Sequence, residues 1–192
     1  MGMLFSLASV ACKRSLPLAA FSQQTMLLMH LPRHFPNISI RHASGSDARN
    51  ISRLLRSLSH TYITSPGGAG AERFLATLTE EAIAAFIKRA DVFYLIAESP
   101  TNELVGAAAM QGNRTVAHLF VSPHYQGRGL GRQLWESLRH NALRAGNPGS
   151  FSVKSSVSAV PIYQRFGFIV VSPKIEKNGG AYVPMALELT SP

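Results

Sequence analysis

Cysteine is almost missing from this chain of 192 residues: there is one, Cys12. An intramolecular disulfide is therefore impossible and a zinc site built from cysteines is excluded, which fits a chain from a reducing compartment. Long apolar runs are missing too, because Lys13 and Arg14 cut off the first candidate and His30 the second. Each falls short of the roughly 18–20 apolar residues that a membrane-spanning helix needs, so no membrane partner is expected. Clustered metal ligands are also wanting. His30, His34, His42 and His60 show no ligand spacing with one another or with acids, and no H-E-x-x-H pattern occurs, so no metal is expected. Acids are absent from one end: none precedes Asp47, while Lys13, Arg14, Arg33 and Arg41 give that stretch +4 of the chain's net +9.

What is present is the composition of an ordinary globular fold, with 46% hydrophobic and 15% charged residues. Residues 1–36 are rich in Ser, Leu, Ala and Met and are broken by Pro17, Pro32 and Pro36, with neither a helical stripe nor strand alternation. They read as a leader. Two readings stay open: an unstructured extension of a cytoplasmic protein, or a mitochondrial transit peptide, whose freedom from acids it shares. Residues 37–192 form the expected domain.

That domain alternates strand and helix signals. Ile38 to Arg41 has period two, and Asp47 offers an N-cap to a helix bearing Ile51, Leu54, Leu55 and Leu58. After a Ser65-Pro66-Gly67-Gly68-Ala69-Gly70 loop, Thr79-Glu80-Glu81 caps a helix with Ile83, Phe86 and Ile87. Val92 to Ala97 and Leu104 to Met110 read as a hairpin around Ser99-Pro100-Thr101-Asn102. Further strands are expected at Thr115 to Val121, Phe151 to Lys154, Phe168 to Val171 and Tyr182 to Leu189, with helices over Gly129 to Ala145 and Ser158 to Phe166. The fold class is α/β of the α+β type: one mixed sheet of about six to seven strands with flanking helices.

The segment from His118 to Trp135 carries most of the chemistry. A strand enters the turn Gln126-Gly127-Arg128-Gly129-Leu130-Gly131-Arg132, which opens into a helix with Leu130, Leu134 and Leu138 on one side. Free amides at a helix N-terminus, the helix dipole behind them and glycines that admit close approach make a site for a pyrophosphate. Arg128 and Arg132, four apart, add positive charge. The spacing is not G-x-G-x-x-G and the turn follows an antiparallel hairpin, which argues against a dinucleotide-binding Rossmann unit.

The same segment resembles the Q/R-x-x-G-x-G/A acetyl-coenzyme A signature of the GCN5-related N-acetyltransferase (GNAT) superfamily, and Leu119 to Pro123 resembles that family's strand end. Downstream, Ser155 to Phe168, with Tyr163 and Gly167-Phe168, resembles a later motif of the same family. The resemblance spans roughly Ile38 to Leu189 in element order. It implies a sheet splayed between its fourth and fifth strands, Thr115 to Val121 and Phe151 to Lys154. The pantetheine arm of acetyl-coenzyme A, the co-substrate, would bond there to the main chain of Phe120 and Val121. The amides of Gln126, Gly127, Arg128, Gly129, Leu130, Gly131 and Arg132 would hold the pyrophosphate. Ser155 and Ser156 stand where the family often has Asn, and their hydroxyls would bond the cofactor.

The implied function is acetyl transfer to a primary amine by direct attack in a ternary complex. The transition-state oxyanion would be served by backbone N–H groups near Val121. A phenol near pKa 10 stays protonated at neutral pH and suits the protonation of a departing thiolate, and by resemblance Tyr163 holds that general-acid position. The base is open. The fourth strand lacks the glutamate some relatives carry, while His118 reads better as a packing residue and Glu98 as a solvated turn residue. Two alternatives belong to other classes: an acyl-coenzyme A sensor without catalysis, and a basic nucleic-acid-binding module. Neither aromatic-basic interleaving nor a Lys/Arg-rich recognition helix supports the latter, so no nucleic-acid partner is expected. The acceptor, a small-molecule or peptide amine, would be set by Ser57 to Ile87 and Ser172 to Tyr182. A homodimer is compatible with the fold but nothing in the sequence specifies it.

Overall fold

The computed structural model describes residues 37–65, 68–177 and 179–189. The expected leader with Cys12, and Pro66-Gly67 of the glycine loop, lie outside the described residues.

The first described element is β1 (Ser39–His42), followed by a helical stretch: a 3-10 turn Gly45–Asp47, α1 (Ala48–Ser57) and a second 3-10 turn, Ser59–Thr61. Two more helices follow, α2 (Glu72–Ala76) and α3 (Glu80–Ile87), and then the strands β2 (Val92–Glu98), β3 (Leu104–Gln111) and β4 (Thr115–Val121). The second half holds α4 (Leu130–Arg144), β5 (Ser150–Ser155), α5 (Val160–Arg165), β6 (Ile169–Val170), β7 (Ile175–Lys177) and β8 (Gly180–Glu188). The sheet runs in the order β1-β2-β3-β4-β5-β8-β6, with β7 pairing β8 off that path. All pairings are antiparallel except β4 with β5.

Period-two alternation divides the core between the two faces. Leu95, Ala97, Ala108 and Met110 pack with Leu134, Trp135 and Leu138 of α4, whereas Tyr94, Ile96, Ala107 and Ala109 pack with Ile51 and Leu55 of α1 and Ile83 of α3. Both faces are covered, which is why β2 reads as an almost continuous apolar run. In α4 the buried positions are Leu130, Leu134, Trp135, Leu138 and Ala142, the expected stripe. Each large side chain fully removed from water contributes about 1.5–3 kcal/mol.

Three details depart from the sequence reading. Asp47 stands at the N-cap of α1 as expected but its carboxylate does not cap that helix; it is the reciprocal acid of the capping box of the preceding 3-10 turn, accepting the Ser44 N–H at 2.7 Å and its hydroxyl at 2.8 Å. The helix expected from Ser158 starts as a 3-10 turn and becomes α-helical only at Val160. Pro161 has no N–H to give to a preceding turn, so it fits the first turn of a helix, as in α5, and no later helical position. Within the expected loop Ser172 to Tyr182 lies β7, a short strand folded onto β8 from Ile175↔Tyr182 to Lys177↔Gly180.

The parallel pairing decides where the site lies. β4 and β5 meet only at Thr115↔Ser152 and Val116↔Val153, although β4 continues to Val121 and β5 to Ser155. The β3–β4 register skips Ala117, with Ala109 opposite His118 and Met110 opposite Val116. One extra residue on β4 bends that strand, and the sheet opens between β4 and β5 where the bend begins.

Candidate active site in the splay between β4 and β5

The opening leads into a cavity of about 500 Å³. Its walls come from three places that are distant in sequence: the end of β4 with the turn into α4, the Ser156–Phe166 segment, and Leu58, Thr61 and Tyr62 after α1.

The turn is shaped by its glycines. Pro123–Tyr125 forms a 3-10 turn, Gly127 has φ +70° and Gly129, the N-cap of α4, has φ +89°. Left-handed backbone of this kind strains any residue with a Cβ. The side chain of Gln126 folds back, its amide donating to the Val121 carbonyl at 2.8 Å, so the turn is tied to the end of β4. The first helical bond of α4 runs from the Gln133 N–H to the Gly129 carbonyl at 3.0 Å. The amides of Leu130, Gly131 and Arg132 therefore precede the helical ladder and point out of its N-terminus. Gly131 has neither a positive φ nor a crowded neighbourhood, since a Cβ there would meet only Val121 Cγ2, at 3.8 Å. Neither backbone conformation nor packing requires a glycine here. The guanidinium of Arg132 lies 5.5 Å from the Phe166 ring and donates to the Arg165 carbonyl at 3.3 Å, at the same end of the cavity.

The other wall carries two phenols. Tyr163, in α5, is 4% exposed. Burial pushes its pKa well above the ordinary phenol value, and the neighbouring Tyr62 phenol adds to the rise. Burial also raises Tyr62, opposed by hydrogen bonds from the Ser156 backbone and hydroxyl. Tyr62 is brought here by tertiary contacts: its carbonyl accepts the Ala181 N–H at 2.8 Å, the Thr64 N–H donates to the Gly179 carbonyl at 3.0 Å, and Ile63 bridges Gly180. The segment after α1 is thus fastened to the start of β8.

Of the residues the sequence singles out, Phe120, Val121, Gln126, Gly127, Gly129, Gly131, Arg132, Ser156 and Tyr163 all line the cavity. Three do not. Arg128 sits exposed on the turn, the Leu130 side chain is in the core at 1% exposure, and the buried Ser155 hydroxyl donates to the Ser156 carbonyl at 2.8 Å. For Leu130 only the main-chain amide is available to a ligand. The two sequence candidates for a base are placed elsewhere. Glu98 accepts two hydrogen bonds from Arg41, each at 2.8 Å, across β1 and β2. His118 bonds the Tyr94 hydroxyl through Nδ1 at 2.9 Å, among the rings of Phe86, Tyr94 and Phe120, and burial pulls its pKa down to about 4. Tyr62 was not legible as a site residue, because nothing local in the sequence marks a bridge to Gly180.

The sheet splayed between β4 and β5, the glycine turn leading into the α4 N-terminus and the buried Tyr163 phenol thus surround one cavity. The sequence model of the acetyltransferase (GNAT) domain matches residues 62–189, and the chain belongs to that family. It is accordingly an acetyltransferase of the kind whose co-substrate is acetyl-coenzyme A, as the two motifs imply. No curated protein sequence matches it. Among solved structures it is similar to the PaiA N-acetyltransferase of Thermoplasma acidophilum in complex with coenzyme A, at 18% identity and TM-score 0.66, covering 80% of this chain and 99% of that one. It is also similar to a GCN5-related N-acetyltransferase of Rhodopseudomonas palustris, at 22% identity and TM-score 0.63, covering 79% and 95%. A third is the ribosomal-protein-S18-alanine N-acetyltransferase of Escherichia coli, at 17% identity and TM-score 0.57, covering 81% and 97%. These likenesses establish the shared fold. Among the described residues no helix is long and apolar enough to cross a membrane.

Proposed function

We propose that the chain transfers acetyl from acetyl-coenzyme A to a primary amine by direct attack within a ternary complex, with Tyr163 as proton donor. The observation that carries this reading is convergence: the α4 N-terminus, the open side of β4 and the Tyr163 phenol all face one cavity. The cavity fits the donor, because Gly131 leaves the helix amides bare and the β4 main chain beyond Val116 is not paired to β5. The amides from Gly127 to Arg132, with Arg132 beside them, would hold the pyrophosphate, and the main chain of Phe120 and Val121 the pantetheine amides. The bound donor supplies an activated acetyl thioester.

Tyr163 then has a defined task. A phenol whose pKa is raised by burial stays protonated throughout the working pH range, so it is always a hydrogen-bond donor to the sulfur as negative charge develops there. Tyr62, held by Ser156, fixes the second side of the space around that hydroxyl. The sole cysteine, Cys12, precedes the whole family match, which favours direct attack over a covalent acetyl-enzyme. Tyr163→Phe should lower kcat by about 100-fold, the usual scale for a lost general acid, with coenzyme A affinity by calorimetry unchanged. Unchanged kcat would remove Tyr163 from the mechanism.

A further inference from the structure

The walls of the cavity narrow the class of acceptor. Among the described residues, two that line the cavity are charged, Arg132 and Arg165, and none is a carboxylate or a histidine. All ten acids of the chain lie between Asp47 and Glu188, and every one is among the described residues. Most are engaged elsewhere: Asp47 and Glu98 with Arg41, Glu80 with Arg49, Asp91 with Arg89, Glu136 with Arg139 and Glu188 with Arg114. The remaining walls include the apolar Leu58, Phe120 and Ile162 and the hydroxyl-bearing Thr61, Tyr62 and Ser156.

Two physical consequences follow from such a wall. A second ammonium group on the acceptor would enter a half-apolar cavity with arginines and no counter-charge, and a charge so placed is strongly penalised. Among the described residues no lining side chain is a carboxylate or imidazole that could take a proton from an incoming ammonium, which favours an amine that is already neutral in solution. An α-amino group at a peptide terminus has a pKa of about 7.7–8.0 and a lysine side chain about 10.4. At pH 7.5 about a third of the former is neutral and roughly one part in a thousand of the latter, a difference of a few hundredfold.

We propose that the acceptor is an amine of pKa near 8 on an uncharged, apolar body, such as the α-amino group of a peptide or amino-acid amide with an apolar first residue. Lysine side chains and polyamines are then poor acceptors. The proposal rests on the acetyl transfer proposed for this site. The amine nitrogen forms a bond to the thioester carbonyl carbon, the carbon–sulfur bond breaks, the nitrogen gives up one proton and the sulfur gains one. A neutral amine and a thioester thus give an amide and a thiol, with no proton left over.

The test uses the wild-type full chain, with thiol release from acetyl-coenzyme A measured between pH 7 and 9.5 for L-phenylalaninamide, Nα-acetyl-L-lysine methylamide and spermidine. Coenzyme A binding to the same preparation is measured by calorimetry. At pH 7.5 kcat/KM for phenylalaninamide should exceed the other two by at least about tenfold. Its rate should level off above about pH 8, while the lysine derivative climbs nearly tenfold per pH unit, since only the neutral fraction reacts. Coenzyme A binding with equal or faster turnover of spermidine or the lysine derivative at pH 7.5 overturns the proposal and leaves the acetyltransferase reading intact. So does coenzyme A binding with no turnover of phenylalaninamide. Failure to bind coenzyme A overturns the reading of the site itself, and the acceptor class with it.

Discussion

His118 shows how burial decides a residue's role. An imidazole on the strand beside the site is a natural candidate for a base, yet its ring is enclosed by Phe86, Tyr94 and Phe120 and its Nδ1 is engaged by the Tyr94 hydroxyl. With its pKa pulled down to about 4, it is neutral at working pH and too weak a base for an ammonium. The same shift has a consequence for stability. Between the ordinary imidazole value of 6.5 and about 4 the unfolded chain binds a proton that the folded chain refuses, so stability rises with pH across that window. Acidification from pH 7 to 4 should cost at most about 3 kcal/mol from this group, read as a lower urea midpoint, and His118→Gln should flatten that part of the profile. An unchanged profile in the variant would show that His118 titrates normally. Sequence and structure part most at this scale. Tyr163 was legible because it stands in a motif, whereas Tyr62 reaches the cavity only through the Ile63–Gly180 bridge, and the burial that disqualifies His118 comes from side chains on α3, β2 and β4.

Periodicity fixed most elements well. The β2–β3 hairpin follows from its Pro100-Thr101-Asn102 turn, where Asn102 adopts φ +60°, and the apolar stripe of α4 follows from the spacing of Leu130, Leu134 and Leu138. What escaped was what periodicity does not encode. β7 is three residues long and two of them are charged, Glu176 and Lys177, so it carries no strand signal of its own. The splay depends on a one-residue skip at Ala117, visible only once the register of β3 and β4 is known. The turn into α4 offers a test at the same scale, because its glycines are there for different reasons. Gly129→Ala places a Cβ on left-handed backbone and should cost about 1 kcal/mol or more. Gly131→Ala replaces a helical glycine with space to spare and should stabilise by about 0.5–1 kcal/mol in urea unfolding, while weakening coenzyme A. Shifts of the same sign in both variants would contradict this division of roles.

The excess of positive charge looks different at the scale of the whole molecule. Of the net +9, +4 belongs to the first 46 residues, and +3 lies between His124 and Arg144, where four arginines accompany Glu136. Arg139 pairs with that glutamate, and Arg132 reaches the cavity beside the N-terminus of α4. Positive charge, helix dipole and bare amides thus coincide at one mouth of the splayed sheet, the arrangement a pyrophosphate requires. We propose this mouth as the place where the donor binds. This placement is tested most directly by calorimetric titration of coenzyme A into the wild-type chain and into Gly131→Glu, with circular dichroism to confirm that both are folded. Saturable one-to-one binding to the wild type is expected, with affinity at least about tenfold lower in the variant, where a carboxylate stands among the amides. No saturable binding to the wild type, or equal affinity in a folded variant, would contradict it.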